Sequence, residues 1–573
     1  MKNVSPGVRK IIYIVLVALL IIPLSFLALP EIRKDGRISN TGGVLSVLRE
    51  KHDLSQVKLS EVDPASETMK LTSLGLRGIA SCILWMQAME HKKTENYDQL
   101  ATTLNTLTKV QPNFSKVWEF QAHNLAYNVS MEFDDYEYRY HWVKKGIGLL
   151  KEGMPFNKTD HRITDALGFF TGNKMGKSDE KDSFRRMFAL DTEFHQEMED
   201  RIDPDSYETR GYGHDYDSWL MAYQWYDYSR RMVDEGLVKT KNIRDSFFYS
   251  LRPSMRRNQG LSLQREFRPE DGQREVWRIA SEEWNDYGNI EMSNSWGISY
   301  TMEDLLRTEQ QIERLRNEMD ELVPGARDKV MAELQANLNL PEDAMAAFKL
   351  PVDQRDDYQL QQARLVNDVI IKNNAEMDIN ISQQAKPDDY PRAREIAAEI
   401  EKLKFKAYNI EKDASTINYG FWKAATKAES GDIGVLARQA LYDAEQARLS
   451  AIYEDEFVRD YPTGETTVLQ PGAISLYLDA FARFNEVFET NLDLSVDSGY
   501  ADELIGFLKN YQKILKLTGR QWPMDFPLQN FIDKRSAMGL NDGFPTSEDL
   551  QDEAGTLQND QSNSSKEEMV GDG

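Results

Sequence analysis

Hydrophobic and polar positions fall into three regimes along this chain. The first is a run without charge, Ile11 to Pro30 (IIYIVLVALLIIPLSFLALP). As a helix rising about 1.5 Å per residue, it matches the roughly 30 Å hydrocarbon layer of a bilayer. Lys2, Arg9 and Lys10 precede it. Cleavage by a signal peptidase needs small residues at the cut, and placing Ala28 there puts Phe26 at the other small position. The run therefore predicts a retained signal anchor. The positive-inside rule puts the N-terminus in the cytoplasm and the body outside it, although Arg33, Lys34 and Arg37 on the far flank oppose that preference. The expected location is the cytoplasmic or inner membrane, with a single pass, and no later stretch approaches a second span.

The second regime is helical. Leu76, Ile79, Ile83 and Met86 recur at three- and four-residue spacing and predict one buried helix face. Leu100, Leu104 and Leu107 do the same over Tyr97 to Val110, and Pro112 stops that helix. Trp118, Ala122 and Leu125 then take the large, small and large positions of a tetratricopeptide (TPR) hairpin, in which big residues fill the groove between antiparallel helices and a small one lets them approach. A like turn at Pro155 leads to Leu167-Gly168. Pro112 to Pro155 is 43 residues, against about 34 in a regular repeat, so the helices are lengthened. Leu305, Ile312 and Met319, with Leu315 and Leu322 beside them and Thr308 interrupting, form a short heptad seam that predicts a helix folded back on another. Further on, Trp422, Ala425 and Ala428 are expected to face Leu436, Ala440, Ala444 and Ala447 across a turn at Gly431. Residues 473–490 and 502–517 make another pair.

The third regime is polar and nearly free of apolar residues, from about Asp542 onward, and predicts disorder. The expected fold is all-α: TPR-like helical hairpin arrays (α-solenoid-like) with one N-terminal transmembrane helix. The divisions are an anchor with flanks (1–38), a first TPR-like region (39–200), an aromatic-rich helical region (201–300), a coiled segment with connecting helices (301–390), a second hairpin region (391–541) and an acidic tail (542–573).

Two stretches carry a resemblance. LTSLGLRGIASCILWMQAMEHKK…LLKEG (residues 71–153) and VWRIASEEWNDYGNIEMSNSWG (276–297) resemble a family of membrane-anchored, TPR-like proteins of planctomycete-type bacteria. Some of these relatives are labelled as iron-responsive-element proteins. The resemblance implies an anchored helical body and brings no functional residue with it.

Charge narrows the partners. With 69 basic and 94 acidic residues the formal charge is −25, a field that repels nucleic acid. The expected partners are proteins or peptides, and the bilayer through residues 11–30. The single cysteine, Cys82, excludes an intrachain disulfide or a cysteine-built metal site, and its apolar neighbourhood predicts a buried thiol.

Candidate chemistry is sparse. Trp219, Tyr223 and Tyr226 share a helix face in an aromatic middle that also holds Trp284 and Trp296. Such rings either line a binding groove or pack as core, and helical spacing favours packing. Arg252, Arg256, Arg257, Arg265 and Arg268 form a basic cluster expected to pair internally. The nearest approach to a metal set is Glu132, Asp134, Asp135 and His141, with Glu137 one turn before the histidine. A weaker set is His195 with Glu193, Glu197 and Glu199. Neither has the frame of a known metal motif, and solvated polar faces are the simpler reading. No nucleophile elbow, phosphate-binding loop or dinucleotide fingerprint occurs. No cofactor is expected, and the chain reads as a binding scaffold. The alternatives are a metal-binding or catalytic envelope protein and a structural envelope element.

Overall fold

The computed structural model describes residues 77–551 with short breaks, the longest at 197–201, 239–244, 267–271 and 460–465, and scattered residues before 77. Among these, no helix is long and apolar enough to cross a membrane. The run Ile11–Pro30 lies largely outside the described residues, as do residues 552–573. The architecture is helical. Among the described residues the strands form three two-stranded antiparallel hairpins: β1 (Ile32–Lys34) with β2 (Arg37–Asn40), β3 (Met292–Ser293) with β4 (Ser299–Tyr300), and β5 (Glu456–Arg459) with β6 (Thr466–Gln470).

The chain divides into two compact units, Met1–Lys241 with Ser254–Gly272, and Asn242–Pro253 with Gln273–Gly573. The division runs through the aromatic-rich stretch 201–300.

In the first unit, helices stack in chain order. α1 (Arg77–Lys93) and α2 (Tyr97–Val110) form an antiparallel hairpin, in which the Asn96 side chain caps α2 by accepting from the Gln99 N–H. Leu100, Leu104 and Leu107 are buried against it, as their spacing requires. α3 (Ser115–His123) continues through a π-helical turn (Asn124–Asn128) and a 3₁₀ turn (Val129–Glu132) before α4 (Tyr136–Gly153) returns. This continuation is what lengthens the repeat. The turns at Pro112 and Pro155 are tied together. The Pro112 carbonyl accepts from the Trp118 indole N–H at 2.8 Å and from the Asn157 amide at 2.9 Å. Ser115 donates to Asp160 at 2.5 Å, and Asn113 to the Phe156 carbonyl at 2.7 Å. Buried backbone groups at a turn must find such partners. Gly153 stands where a Cβ would meet the Trp118 ring at 2.8 Å.

α5 (Arg162–Phe169), a second π-helical turn (Phe170–Lys174) and Met175–Lys177 make one continuous helical path. Gly168, Gly172 and Gly176 recur along it every four residues. Against them lies α7 (Ser218–Asp234), which follows α6 (Lys181–Leu190) in the first unit. A Cβ on Gly168 would meet the Tyr226 ring at 2.8 Å, and one on Gly172 would meet Ala222 at 3.0 Å. One on Gly176 would run into the Trp219 ring. The aromatic face of α7 therefore packs into a groove that only glycines leave open.

α8 (Asp245–Arg265) carries Pro253 inside it, and the division between units falls after that residue. The Trp219 indole N–H donates to Ser262 at 2.8 Å within the first unit.

In the second unit α9 (Gln273–Gly288) packs on α12 (Tyr419–Ser430), and α10 (Asp304–Leu322) packs on α11 (Tyr390–Ile417). The heptad seam thus folds back within the chain, and Ile312, Met319 and even Thr308 are buried. α13 (Asp432–Leu449) packs on α14 (Ala473–Thr490), and α15 (Ser498–Thr518) closes that core. Arg438 is buried there between Glu429 (2.6 Å) and Glu503 (2.9 Å), under the rings of Phe484 and Tyr500.

Four expectations need correction. Ile83 and Met86 are exposed; α1 turns Leu84, Trp85, Ala88 and Met89 toward α2 instead. That helix is apolar on several sides, so spacing alone does not select a face. Leu436 is exposed, and Ala437 and Leu441 take the inner positions. Cys82 is exposed. The polar tail begins later than its composition suggests, because Phe544 and Leu550 are buried.

The glycine groove gives a direct test. Gly176→Ala should destabilise the first unit by about 1–3 kcal/mol through overpacking. Gly148→Ala, whose Cβ would meet nothing within 4 Å, should be neutral or slightly stabilising. Calorimetric melting of the two variants checks this.

Candidate functional site

α6 reads KDSFRRMFAL. Phe184 and Phe188, four apart, are buried in the first unit's core. The opposite face holds Asp182, Arg185, Arg186 and Ala189, and this face forms one wall of a cavity of about 480 Å³. The second wall is the stretch Asp215–Ser218 that leads into α7. The third is the end of α8, with Gln259, Leu263, Arg265 and Glu266. All three walls belong to the first unit.

Asp217 fixes the start of α7. Its Oδ1 accepts from the N–H groups of Trp219 (2.8 Å) and Leu220 (3.1 Å), which satisfies two of the donors that a helix start leaves unpaired. Its Oδ2 accepts from Arg185 at 3.1 Å. Arg185 also donates to Glu266 at 2.6 Å and Ser218 at 3.2 Å, and so ties α6 to α7 and α8. Burial works against the charge of this guanidinium, but Asp217 and Glu266 outweigh it and hold the pKa above its ordinary value. Arg265 pairs with Asp182 at 3.6 Å.

Three polar groups on the cavity remain uncommitted. Gln259 is 3% exposed and has no hydrogen-bond partner among the described residues. Arg186 and Asp215 are exposed to the cavity and the solvent, and neither pairs with a described residue or with the other. Such an arrangement holds one cation, one anion and one carboxamide around a partly apolar space, and it offers recognition without a nucleophile.

Tyr216 lines the cavity and stacks on His195 with centroids 3.9 Å apart. His195 is fully buried; its Nε2 lies 2.6 Å from the Phe188 carbonyl and its Nδ1 has no partner among the described residues. Burial lowers its pKa to about 4, with Arg210 and Lys144 pushing the same way, against the Phe188 carbonyl and Asp191. At neutral pH the imidazole is neutral, with the proton on Nε2 donated to Phe188.

The residues singled out in the sequence lie elsewhere. Trp219, Tyr223 and Tyr226 are buried in the first unit and Trp284 in the second, so these rings present no free face to a ligand. Trp296 is outside the described residues. Glu132, Asp134, Asp135 and His141 are all exposed, and no group of three or more metal-ligating residues converges among the described residues. Asp135 instead caps α4 by accepting from the Glu137 N–H at 2.6 Å. Around His195, Glu193 is exposed, and Glu197 and Glu199 lie outside the described residues. The arginine cluster is held internally: Arg252 pairs with Glu283 at 3.1 Å, Arg256 lies over the Tyr223 ring and Arg257 donates to Asn258. Arg268 is outside the described residues.

One constellation resembles a catalytic set and is not one. Asp165 accepts from Ser229 at 2.6 Å while its other oxygen lies 2.6 Å from His161 Nδ1. Serine and histidine both bind the carboxylate, so the base does not face the hydroxyl. The three join α5 to α7. The cavity itself was missed in the sequence. The signal was the Arg185-Arg186 pair on the polar face of α6, opposite Phe184 and Phe188.

No family model, curated protein or solved structure matches this chain.

His195 sets a pH dependence. Its folded pKa, about 4, lies below the unfolded value near 6.5, so the unfolded state takes up the proton first. Stability should be level above about pH 6.5 and fall by roughly 3 kcal/mol down to about pH 4. Denaturant midpoints across that window should show a shallower fall in His195→Gln.

Proposed function

We propose that the chain is a membrane-tethered helical-repeat protein whose body binds protein or peptide partners on the extracytoplasmic side. The observation that carries this reading is the chain-order stacking of lengthened hairpins in the first unit, α1 through α5, with junctions cross-linked at Pro112. Stacked hairpins offer extended surfaces on which a peptide or a protein segment can lie. The run Ile11–Pro30 supplies the tether in this reading, and the resemblance to anchored TPR-like proteins agrees with it.

A particular surface supports it. At the junction of α3 and α4 the first unit exposes Met131 (52%), Tyr136 (50%) and Tyr138 (61%), and Phe133 stacks on Tyr138. Aromatic residues and methionine held on a rigid junction are the kind of side chains that anchor protein contacts. The acidic charge of the chain favours cationic or neutral partners over nucleic acid.

The test is photo-crosslinking in native membranes with a photoreactive residue in place of Tyr138. The expected outcome is one or a few discrete protein adducts, absent when the same residue replaces buried Tyr140. Adducts no richer than in that control would count against a partner at this surface.

A further inference from the structure

We infer that the cavity between α6, the start of α7 and the end of α8 is a binding site for a short zwitterionic peptide with free ends. This goes beyond the scaffold reading and rests on the first unit alone, whatever the body contacts at the α3–α4 junction.

The cavity leaves polar side chains unpaired. A buried polar side chain normally has a partner, because an unmade hydrogen bond costs free energy. Gln259 is 3% exposed, lines the cavity, and has no hydrogen-bond partner among the described residues, so its carboxamide is open to the cavity. A carboxamide both donates and accepts, so its complement is another amide, such as a peptide bond. On the same cavity Arg186 is a cation and Asp215 an anion, each without a partner among the described residues. Their complements are a carboxylate and an ammonium group. The other charges are paired locally, Arg185 with Asp217 and Glu266, which leaves one negative charge over, and Arg265 with Asp182. These pairings leave Arg186, Asp215 and Gln259 as the cavity groups open to a ligand among the described residues.

The rest of the cavity sets the size and the middle of the ligand. Leu263 and Ala189 give it an apolar patch, and about 480 Å³ falls in the size class of small-ligand pockets, about 300–1,000 Å³. A free amino acid would supply both charges and leave the Gln259 amide unmatched. A peptide of two or three residues supplies the carboxylate, the ammonium and at least one amide together, with an apolar side chain for Leu263.

Isothermal calorimetry on the full chain in detergent, with Ala-Leu-Ala as probe, tests the inference. Free leucine and the N-acetylated, C-amidated form of the tripeptide are the comparison ligands. Expected are saturable binding of the free-ended tripeptide with a dissociation constant below about 1 mM, and affinity at least about tenfold weaker for both comparison ligands. Arg186→Gln and Gln259→Leu should each weaken the tripeptide by about tenfold or more. Arg186 is exposed, so its variant keeps the test valid should Gln259→Leu fail to fold. Equal binding of the blocked tripeptide would overturn the role of the ends. Undiminished binding to Arg186→Gln, or no saturable binding of any probe, would overturn the site.

Discussion

The first unit depends on how closely two helical segments can approach. Gly168, Gly172 and Gly176 leave a groove along one, and Trp219, Ala222 and Tyr226 of the other fill it. Where a protein interior is packed to crystal density, an added methyl group has nowhere to go. The aromatic residues are therefore fixed from both sides, by the missing side chains opposite them and by Ser262, whose hydroxyl accepts a hydrogen bond from the Trp219 indole N–H. That placement has a consequence at the helix start. Trp219 and Leu220 lie two and three residues after Asp217 and donate to it, so seating the rings also seats the cap, and the cap's second oxygen holds Arg185. The cavity wall is in this sense an outgrowth of the core contact.

An acidic chain of net charge −25 can bury cations against its own carboxylates. Arg185 and Arg438 do so, one in each unit, each with two carboxylates and with burial opposing the charge. Buried pairs of this kind add little net stability against apolar replacements, yet breaking one partner leaves a charge stranded. They serve better as fixed joints between helices. On the cavity, Gln259 has no such joint among the described residues.

Where a single periodicity governs a segment, the sequence is easily read. Tyr97–Val110 and residues 473–490 emerge at the boundaries their spacing gives, and the seam of Ile312 and Met319 folds back on a neighbour within the chain. Reading fails where a helix is apolar on more than one side. In α1 either face could turn inward, and packing on α2 selects Trp85 and Ala88 over Ile83 and Met86. The glycine groove is half legible: Leu167-Gly168 follows the turn at Pro155 as a large residue and a small one, but its partner helix lies about fifty residues on, beyond the reach of local pattern. The aromatic run near Trp219 was visible as a stripe, and its spacing favoured packing over a groove. Local spacing likewise could not show that Asp135 is a helix cap, since a carboxylate cluster looks the same whether its members converge on an ion or point apart. Arg185 and Gln259 were illegible together because three separate segments bring them to one wall.

Native-state hydrogen exchange read by peptide mass spectrometry tests the central contact most directly. If the glycine path and the aromatic helix stabilise one another, peptides covering residues 163–177 and 219–232 should be among the slowest to exchange and should open together, with one shared protection that falls in step as denaturant is added. Rapid exchange of either segment in the native protein, or two unrelated opening energies, would contradict the account.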